Sequence, residues 1–234
     1  MTKKRFWITQ SEPGASILAR KLTDSGRLVM KVPVICIKPL KFDTPADIPS
    51  LVICLSGHAA RLYLASDLFK GDLKIPHVAV GRMTASILRA CDVEPIVPAL
   101  ENSKGILALQ ELRKITDSDV VWILSGAGGL GLVESSLSGL CKIIKVRLYE
   151  RLETRVDNVA PAEIGCILAS SVTSVTFAEK IWRRNNGALS VPLVVPSKRV
   201  ENTARDLGFR VIHNVGSANV SDVARYVKGF INLE

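Results

Sequence analysis

The chain has 234 residues, 47% of them hydrophobic and 23% charged, enough apolar content for one large core or two modest ones and too much for a disordered chain. No apolar run approaches the roughly 20 residues needed to span a bilayer, and the basic start "MTKKRFWITQSEPG" has no apolar stretch of signal-peptide length. The 31 Lys and Arg against 22 Asp and Glu leave a net charge of +9, which calls for an anionic partner, while 5% aromatics and the lack of a dense basic block weigh against nucleic acid.

In chain order, strand-like runs are predicted at Phe6–Thr9, Leu28–Ile37, Leu51–Leu55 and His77–Val80, with helical patterns at Gly57–Phe69 and Met83–Cys91. The second half repeats the alternation, with strands at Val120–Leu124, Lys142–Leu148, Ile164–Ala169, Leu193–Val195 and Arg210–His213. Strands and helices alternating at this spacing predict an α/β fold with parallel sheets flanked by helices. The halves also align: Ile8 with Ile123 is 115 residues apart, Val32 with Val146 and Ser56 with Ser170 are 114, and Gly81 with Ser197 is 116. Four landmarks near one offset predict two similar α/β lobes, with ligand bound between them at strand C-termini.

The five cysteines (Cys36, Cys54, Cys91, Cys141, Cys166) are odd in number and form no C-x-x-C pair, and the three histidines (His58, His77, His213) are far apart. A metal site and a disulfide framework are therefore not expected, and a cytoplasmic location is. One motif invites a specific reading. In "DVVWILSGAGGLG" (Asp119 to Gly131) an apolar strand runs into Gly126, Gly128 and Gly131 at dinucleotide-fingerprint spacing, with an acid, Glu150, 19 residues further on. The first-half counterpart, "QSEPGAS", has Pro13 and Gly14 instead, so the position tolerates both sequences and a tight helix entry accounts for the glycines. Glu150 lies on a charge-dense strand, where a solvated face explains it.

The run "HVAVGRMTASILRACDVEPIVPALENSKGILALQEL" (His77 to Leu112) resembles the bacterial uroporphyrinogen-III synthase family, in its Val-Gly strand end, Thr-Ala helix opening, Pro-x-x-Pro and Asn-Ser-x-Gly pattern. The resemblance extends through "ITQSEPGAS", "VPVICIKPL", "LSGAGGLG", "VRLYER" and "VPSKRVENTARDLGFRVI", and so covers essentially the whole chain in order. It implies two flavodoxin-like α/β lobes joined by two extended linker segments, with the active site in the cleft. Residues 1–32 and 154–234 would form one lobe, 40–146 the other, and 33–39 and 147–153 the linkers. The activity implied is that of a lyase without metal or other cofactor: closure of the linear tetrapyrrole hydroxymethylbilane to uroporphyrinogen III, with loss of water and inversion of the last ring. A monomer is expected, with at most a transient contact with hydroxymethylbilane synthase.

The implied substrate is a polycarboxylate, and helix N-termini bind carboxylates through free backbone N–H groups. Five hydroxyl residues, Ser56, Thr84, Ser103, Ser170 and Ser197, fall where the family has its cleft loops. Taken singly, each reads as an ordinary helix cap. Arg82, Lys198 and Arg199 are expected to add attraction. The resemblance assigns Tyr149 as general acid toward the departing hydroxyl, a role for which a phenol protonated at neutral pH is suited. His58 reads as an exposed loop histidine. The chain departs from the family at Gln10–Ser11, where many members have Arg-Pro, and at Leu130, where they have Arg. The competing readings are an NAD-dependent oxidoreductase using the Gly126–Gly131 turn, a non-catalytic two-lobed anion binder and, third, a nucleic-acid binder.

Overall fold

A computed structural model describes residues 4–69, 74–129, 131–156 and 159–230. Leu130, one of the departures from the family, lies outside the described residues. The elements alternate from the start: β1 (Arg5–Ile8), α1 (Gly14–Thr23), β2 (Val29–Lys31), β3 (Ile35–Pro39), β4 (Leu51–Cys54), α2 (Gly57–Leu64), β5 (His77–Ala79), α3 (Arg82–Arg89), α4 (Ser103–Leu107) and α5 (Gln110–Arg113). They continue with β6 (Val120–Gly126), α6 (Leu132–Leu137), β7 (Lys142–Glu153), β8 (Ile164–Leu168), α7 (Val172–Arg184), β9 (Leu193–Val195), α8 (Lys198–Asp206), β10 (Ile212–Asn214) and α9 (Val220–Phe230).

The chain divides into two compact units, one made of Met1–Cys36 with Leu152–Glu234, the other of Ile37–Arg151. The first unit's sheet runs β10-β9-β8-β1-β2, with every neighbouring pair parallel. The second runs β3-β7-β6-β4-β5, and its β7–β6, β6–β4 and β4–β5 pairs are parallel. A central parallel strand is covered by helices on both faces, so both sets of alternate side chains must be apolar. β6 shows this: Val121 and Ile123 join Leu51, Ile106 and Val133 in one core, whereas Trp122 and Leu124 join Ala60, Leu88 and Tyr149 in another. β8 is buried at all five positions for the same reason.

One expectation changes. Leu28–Ile37 is not one strand but two, in different sheets, because Pro33 has no N–H to give a ladder and interrupts the run. The two units share a strand order, and the offset of 114–116 residues follows it: it relates β1, β2, β4 and β5 to β6, β7, β8 and β9, so the run β2-β1-β8-β9 of one sheet corresponds to β7-β6-β4-β5 of the other.

Candidate functional site

Open parallel sheets bind ligands outside the carboxyl ends of their strands, where successive connections leave in opposite directions. That point falls between β4 and β6 in the second unit and between β1 and β8 in the first.

In the second unit, Ser56 follows β4 and caps α2, its Oγ accepting from the Ala59 backbone N–H at 3.1 Å. The same Oγ lies 3.0 Å from the Tyr149 hydroxyl. Tyr149 is wholly buried. Its ring lies on Gly126, the residue paired with it across the β6–β7 ladder, so closely that a Cβ at 126 would fall 2.5 Å from Tyr149 Cζ. Arg151, two residues further along β7 and so on the same face, donates from Nη2 to the Tyr149 oxygen at 2.7 Å and holds its guanidinium carbon 5.1 Å from the ring centroid. The phenolic oxygen thus accepts from Arg151, and in its bond with Ser56 either hydroxyl can be the donor. His58, in the first turn of α2, meets the Tyr149 ring edge-on at 5.6 Å. It is half-buried, not an exposed loop residue. Burial first, then the Arg61 and Arg151 charges, push its imidazole below the ordinary value, so it is a neutral neighbour of the phenol.

The other hydroxyl residues of this unit sit differently from the expectation of a cap. Thr84 lies inside the first turn of α3 and is buried; Gly81 is the cap residue. Ser103 is the first residue of α4, and the Asn102 side chain caps that helix by accepting from the Gly105 N–H at 3.1 Å. Arg82 is committed to Glu101, whose carboxylate accepts from the Arg82 backbone N–H at 3.0 Å and from its Nε at 2.6 Å. The guanidinium first, then the backbone N–H, hold Glu101 below the usual carboxylate range against some desolvation. The chain's own acid thus occupies the N-terminus of α3.

In the first unit, β8 ends at Leu168 and Ser170, two residues on, is exposed; Ser171 caps α7 in a reciprocal capping box with Ser174. Ser197 is the N-cap residue of α8, but its side chain makes no capping hydrogen bond. Lys198 pairs with Glu201 at 3.1 Å and Arg199 is exposed. The N-terminus of α1 is filled by Glu12, which accepts from the Ser16 N–H at 3.1 Å and pairs with Lys31 at 2.9 Å. Gln10, at the departure from the family, buries its Nε2 without an acceptor among the described residues.

The fingerprint glycines have local explanations. Gly126 belongs to β6 and makes room for Tyr149. Gly128 (φ 77°) and Gly131 (φ 66°) adopt the left-handed region that glycine favours. α6 behind them has six residues, and Glu150 pairs with Lys38 at 3.0 Å. Sequence reasoning missed Arg151. Its signal was the two-residue spacing from Tyr149 on a predicted strand, hidden among the other charges of "VRLYERLETR". Ser171 was missed because Ser170 is equally small and hydroxylated, and only the backbone decides which one caps.

A family model described as uroporphyrinogen-III synthase HemD matches residues 16–218. The chain is 26% identical over 240 residues to the uroporphyrinogen-III synthase of Escherichia coli K12, covering 91% of this chain and 95% of that protein. It is 25% identical over 239 residues to the Salmonella typhimurium enzyme, with the same coverage. The fold is similar to the crystal structure of uroporphyrinogen-III synthetase from Helicobacter pylori 26695, with TM-score 0.66 at 9% identity over 96% of this chain and 98% of that one. It is also similar to a mutant uroporphyrinogen III synthase from the extremely thermophilic bacterium Thermus thermophilus, with TM-score 0.53 at 14% identity over 95% and 97%.

Proposed function

Because the chain belongs to the uroporphyrinogen-III synthase family, we propose that it closes hydroxymethylbilane to uroporphyrinogen III with inversion of the last ring, and that Tyr149 and Ser56 deliver the proton this requires. Loss of the substrate hydroxyl leaves an electrophilic azafulvene. The terminal pyrrole attacks it through its substituted carbon, and the spiro intermediate fragments and recloses with that ring turned over. Hydroxide is a poor leaving group, so a positioned acid lowers the first barrier, typically by a factor of about 10²–10⁴.

The observation that carries the reading is the Arg151–Tyr149–Ser56 hydrogen-bonded series, at 2.7 and 3.0 Å. Tyr149 is wholly buried and Ser56 is not, so Ser56 is the member of the pair that a bound substrate reaches. The phenol proton passes to Ser56 Oγ as the Ser56 proton passes to the departing hydroxyl, which leaves as water. The guanidinium beside the phenolic oxygen stabilises the phenolate for that interval. The proton is restored when the attacking pyrrole gives up its own on regaining aromaticity.

Each pyrrole carries an acetate and a propionate, which suits a chain of net charge +9. In this reading Ser56 meets the substrate at the departing hydroxyl, while Ser170, Ser197, Lys198 and Arg199 meet carboxylates directly. Thr84, Ser103 and Arg82 act through α3 and α4, where Glu101 must first give up its place. The same reading has the protein act as a monomer in the cytoplasm, taking its unstable substrate from hydroxymethylbilane synthase. No helix among the described residues is long and apolar enough to cross a membrane.

The test is to generate the bilane in situ from porphobilinogen with a deaminase and separate the oxidised products by chromatography. Isomer III formed only when this protein is present supports the function. Isomer I alone, from folded protein, refutes it.

A further inference from the structure

His58 stands beside the acid, and the relay leaves it without a role. It is the second residue of α2, two positions after Ser56, which caps that helix. Its imidazole meets the Tyr149 ring at 5.6 Å between centroids with 63° between planes, an edge-to-face geometry that aromatic pairs prefer. The same ring has the Arg151 guanidinium carbon 5.1 Å from its centroid, and its hydroxyl accepts from Arg151 at 2.7 Å. Gly126 lies against the hydroxyl end of the ring, and Ser56 is bonded to its oxygen. Gly126, Arg151, Ser56 and His58 thus converge on one phenol.

Among the described residues, the charges that act on His58 are both positive. Arg61 is one turn further along α2, and Arg151 is on β7; with burial, the larger cause, they hold the imidazole below its ordinary value. Glu150, between Tyr149 and Arg151, points to the other face of β7 and pairs with Lys38. The other elements packed on α2 bring no unpaired acid. β6 has no ionisable side chain, and β4 has only the buried Cys54 thiol. On α3, Arg82 and Arg89 are paired with Glu101 and Glu94. An imidazolium would therefore add a third cation to Arg61 and Arg151. The bond it opposes is that of Arg151 to the phenolic oxygen, because Arg151 is exposed and can turn to water.

Resting on the reading of Tyr149 and Ser56 as the acid, we propose that His58 is the positioning residue of that pair: its neutral imidazole holds the phenol in line with Ser56 and Arg151, and its protonation drives Arg151 from the phenolic oxygen and idles the relay. The relay is then intact above the His58 midpoint and fails below it. An ordinary imidazole titrates near 6.5 and this one is held lower, so the loss falls below about pH 6.5 and the neutral form prevails at pH 7.

The experiment uses the whole chain with ¹³C at the tyrosine ζ carbon, in which three signals are expected from the three tyrosines. Tyr149 is assigned by the signal lost in Tyr149→Phe, and the imidazole protons of His58 by those lost in His58→Phe. As pH falls from 8, the Tyr149 signal is expected to move at the His58 midpoint in the wild type and to stay in place there in His58→Phe. The isomer III assay is run over the same range. Across the His58 midpoint, kcat/KM, which reports ionisations of the free enzyme, is expected to fall about three-fold or more further in the wild type than in His58→Phe. At pH 8, His58→Ala is expected to lower kcat about three- to ten-fold with KM within about two-fold, the worth of one aromatic pair. His58→Phe, which restores an edge-on ring, is expected to recover most of that loss. Superimposed pH profiles for the wild type and His58→Phe overturn the proposal, as does an unchanged kcat in His58→Ala; both results leave the Tyr149–Ser56 acid standing. A wild type that forms no isomer III refutes the function instead, and the tyrosine signals then decide the role of His58: a Tyr149 signal that ignores the His58 midpoint overturns it.

Discussion

Gly126→Ala adds a single methyl group, and the structure has no room for it. The new Cβ would lie 2.5 Å from Tyr149 Cζ, 2.6 Å from Cε2 and 3.0 Å from Cε1. Carbon atoms rest at about 3.5–4.0 Å, so the ring must retreat by roughly 1 Å. It cannot do so freely, because Tyr149 is wholly buried in a core with Trp122, Leu124 and Leu148. Forcing an extra methyl into such a core costs about 1–3 kcal/mol. The displaced ring also loses its bonds to Ser56 and Arg151, at about 1 kcal/mol each. The expected destabilisation is thus about 2–5 kcal/mol, a fall of very roughly 5–15 °C in melting temperature for a chain of this length. Urea and thermal unfolding measure it, alongside the isomer III rate, which should fall with it. Gly128→Ala is the control: it carries a left-handed strain of about 1–2 kcal/mol but meets nothing within 4 Å, and it should leave the rate intact. The decisive comparison is the double-mutant cycle with Tyr149→Ala. Without the ring, Gly126→Ala should cost less than about 1 kcal/mol. An equal cost with and without the ring, or no cost in either background, would refute the packing argument.

Three further outcomes follow from the charges and thiols. Glu101→Gln removes the acid that occupies the N-terminus of α3 and should lower KM for the bilane by about two- to five-fold with kcat unchanged; a raised KM would show that Glu101 assists binding instead. The Glu201 carboxyl is held at about 2 by Asn214, then by Arg205 and Lys198, so its folded value lies below its unfolded one. Its stabilisation is therefore complete above about pH 5 and lost as pH falls from there toward 2, and Glu201→Gln should flatten that part of the acid-unfolding profile. Burial pushes the Cys54 thiol up to about 12 and the Cys166 thiol higher still, while Cys36 and Cys91 are exposed. An alkylating reagent at pH 8 should modify Cys36 and Cys91 quickly and spare Cys54 and Cys166 until the protein unfolds, as peptide mapping would show.

The sheets were readable because parallel strands buried on both faces are written as unbroken apolar runs, and "VWIL" and "IGCIL" can be little else. Pro33 was the visible sign that Leu28–Ile37 breaks, but which sheet each half joins depends on partners distant in sequence. The duplicated offset was legible because each half repeats the same strand–turn–helix units in the same order. The site was less legible. Family resemblance singled out Tyr149, but the roles of Gly126 and Arg151 depend on the β6–β7 register and on the bulge between Ser125 and Gly126. No local pattern encodes those. The hydroxyl residues were picked by type, and type does not separate Ser170 from Ser171, or a buried helical Thr84 from a cap.

The proposed reaction is a ring-inverting cyclisation whose acid is the Tyr149–Ser56 pair. The coupled, isomer-resolved assay tests it most directly when run on the wild type, Tyr149→Phe, Ser56→Ala and the double variant together, with folding checked by circular dichroism. Isomer III is expected from the wild type, and a loss of about a hundred-fold or more in kcat, with KM little changed, from each single variant. The double variant is expected to be no slower than the slower single, because both remove the same proton transfer. Isomer I alone from folded wild type would contradict the function. Losses that multiply in the double variant would contradict the relay.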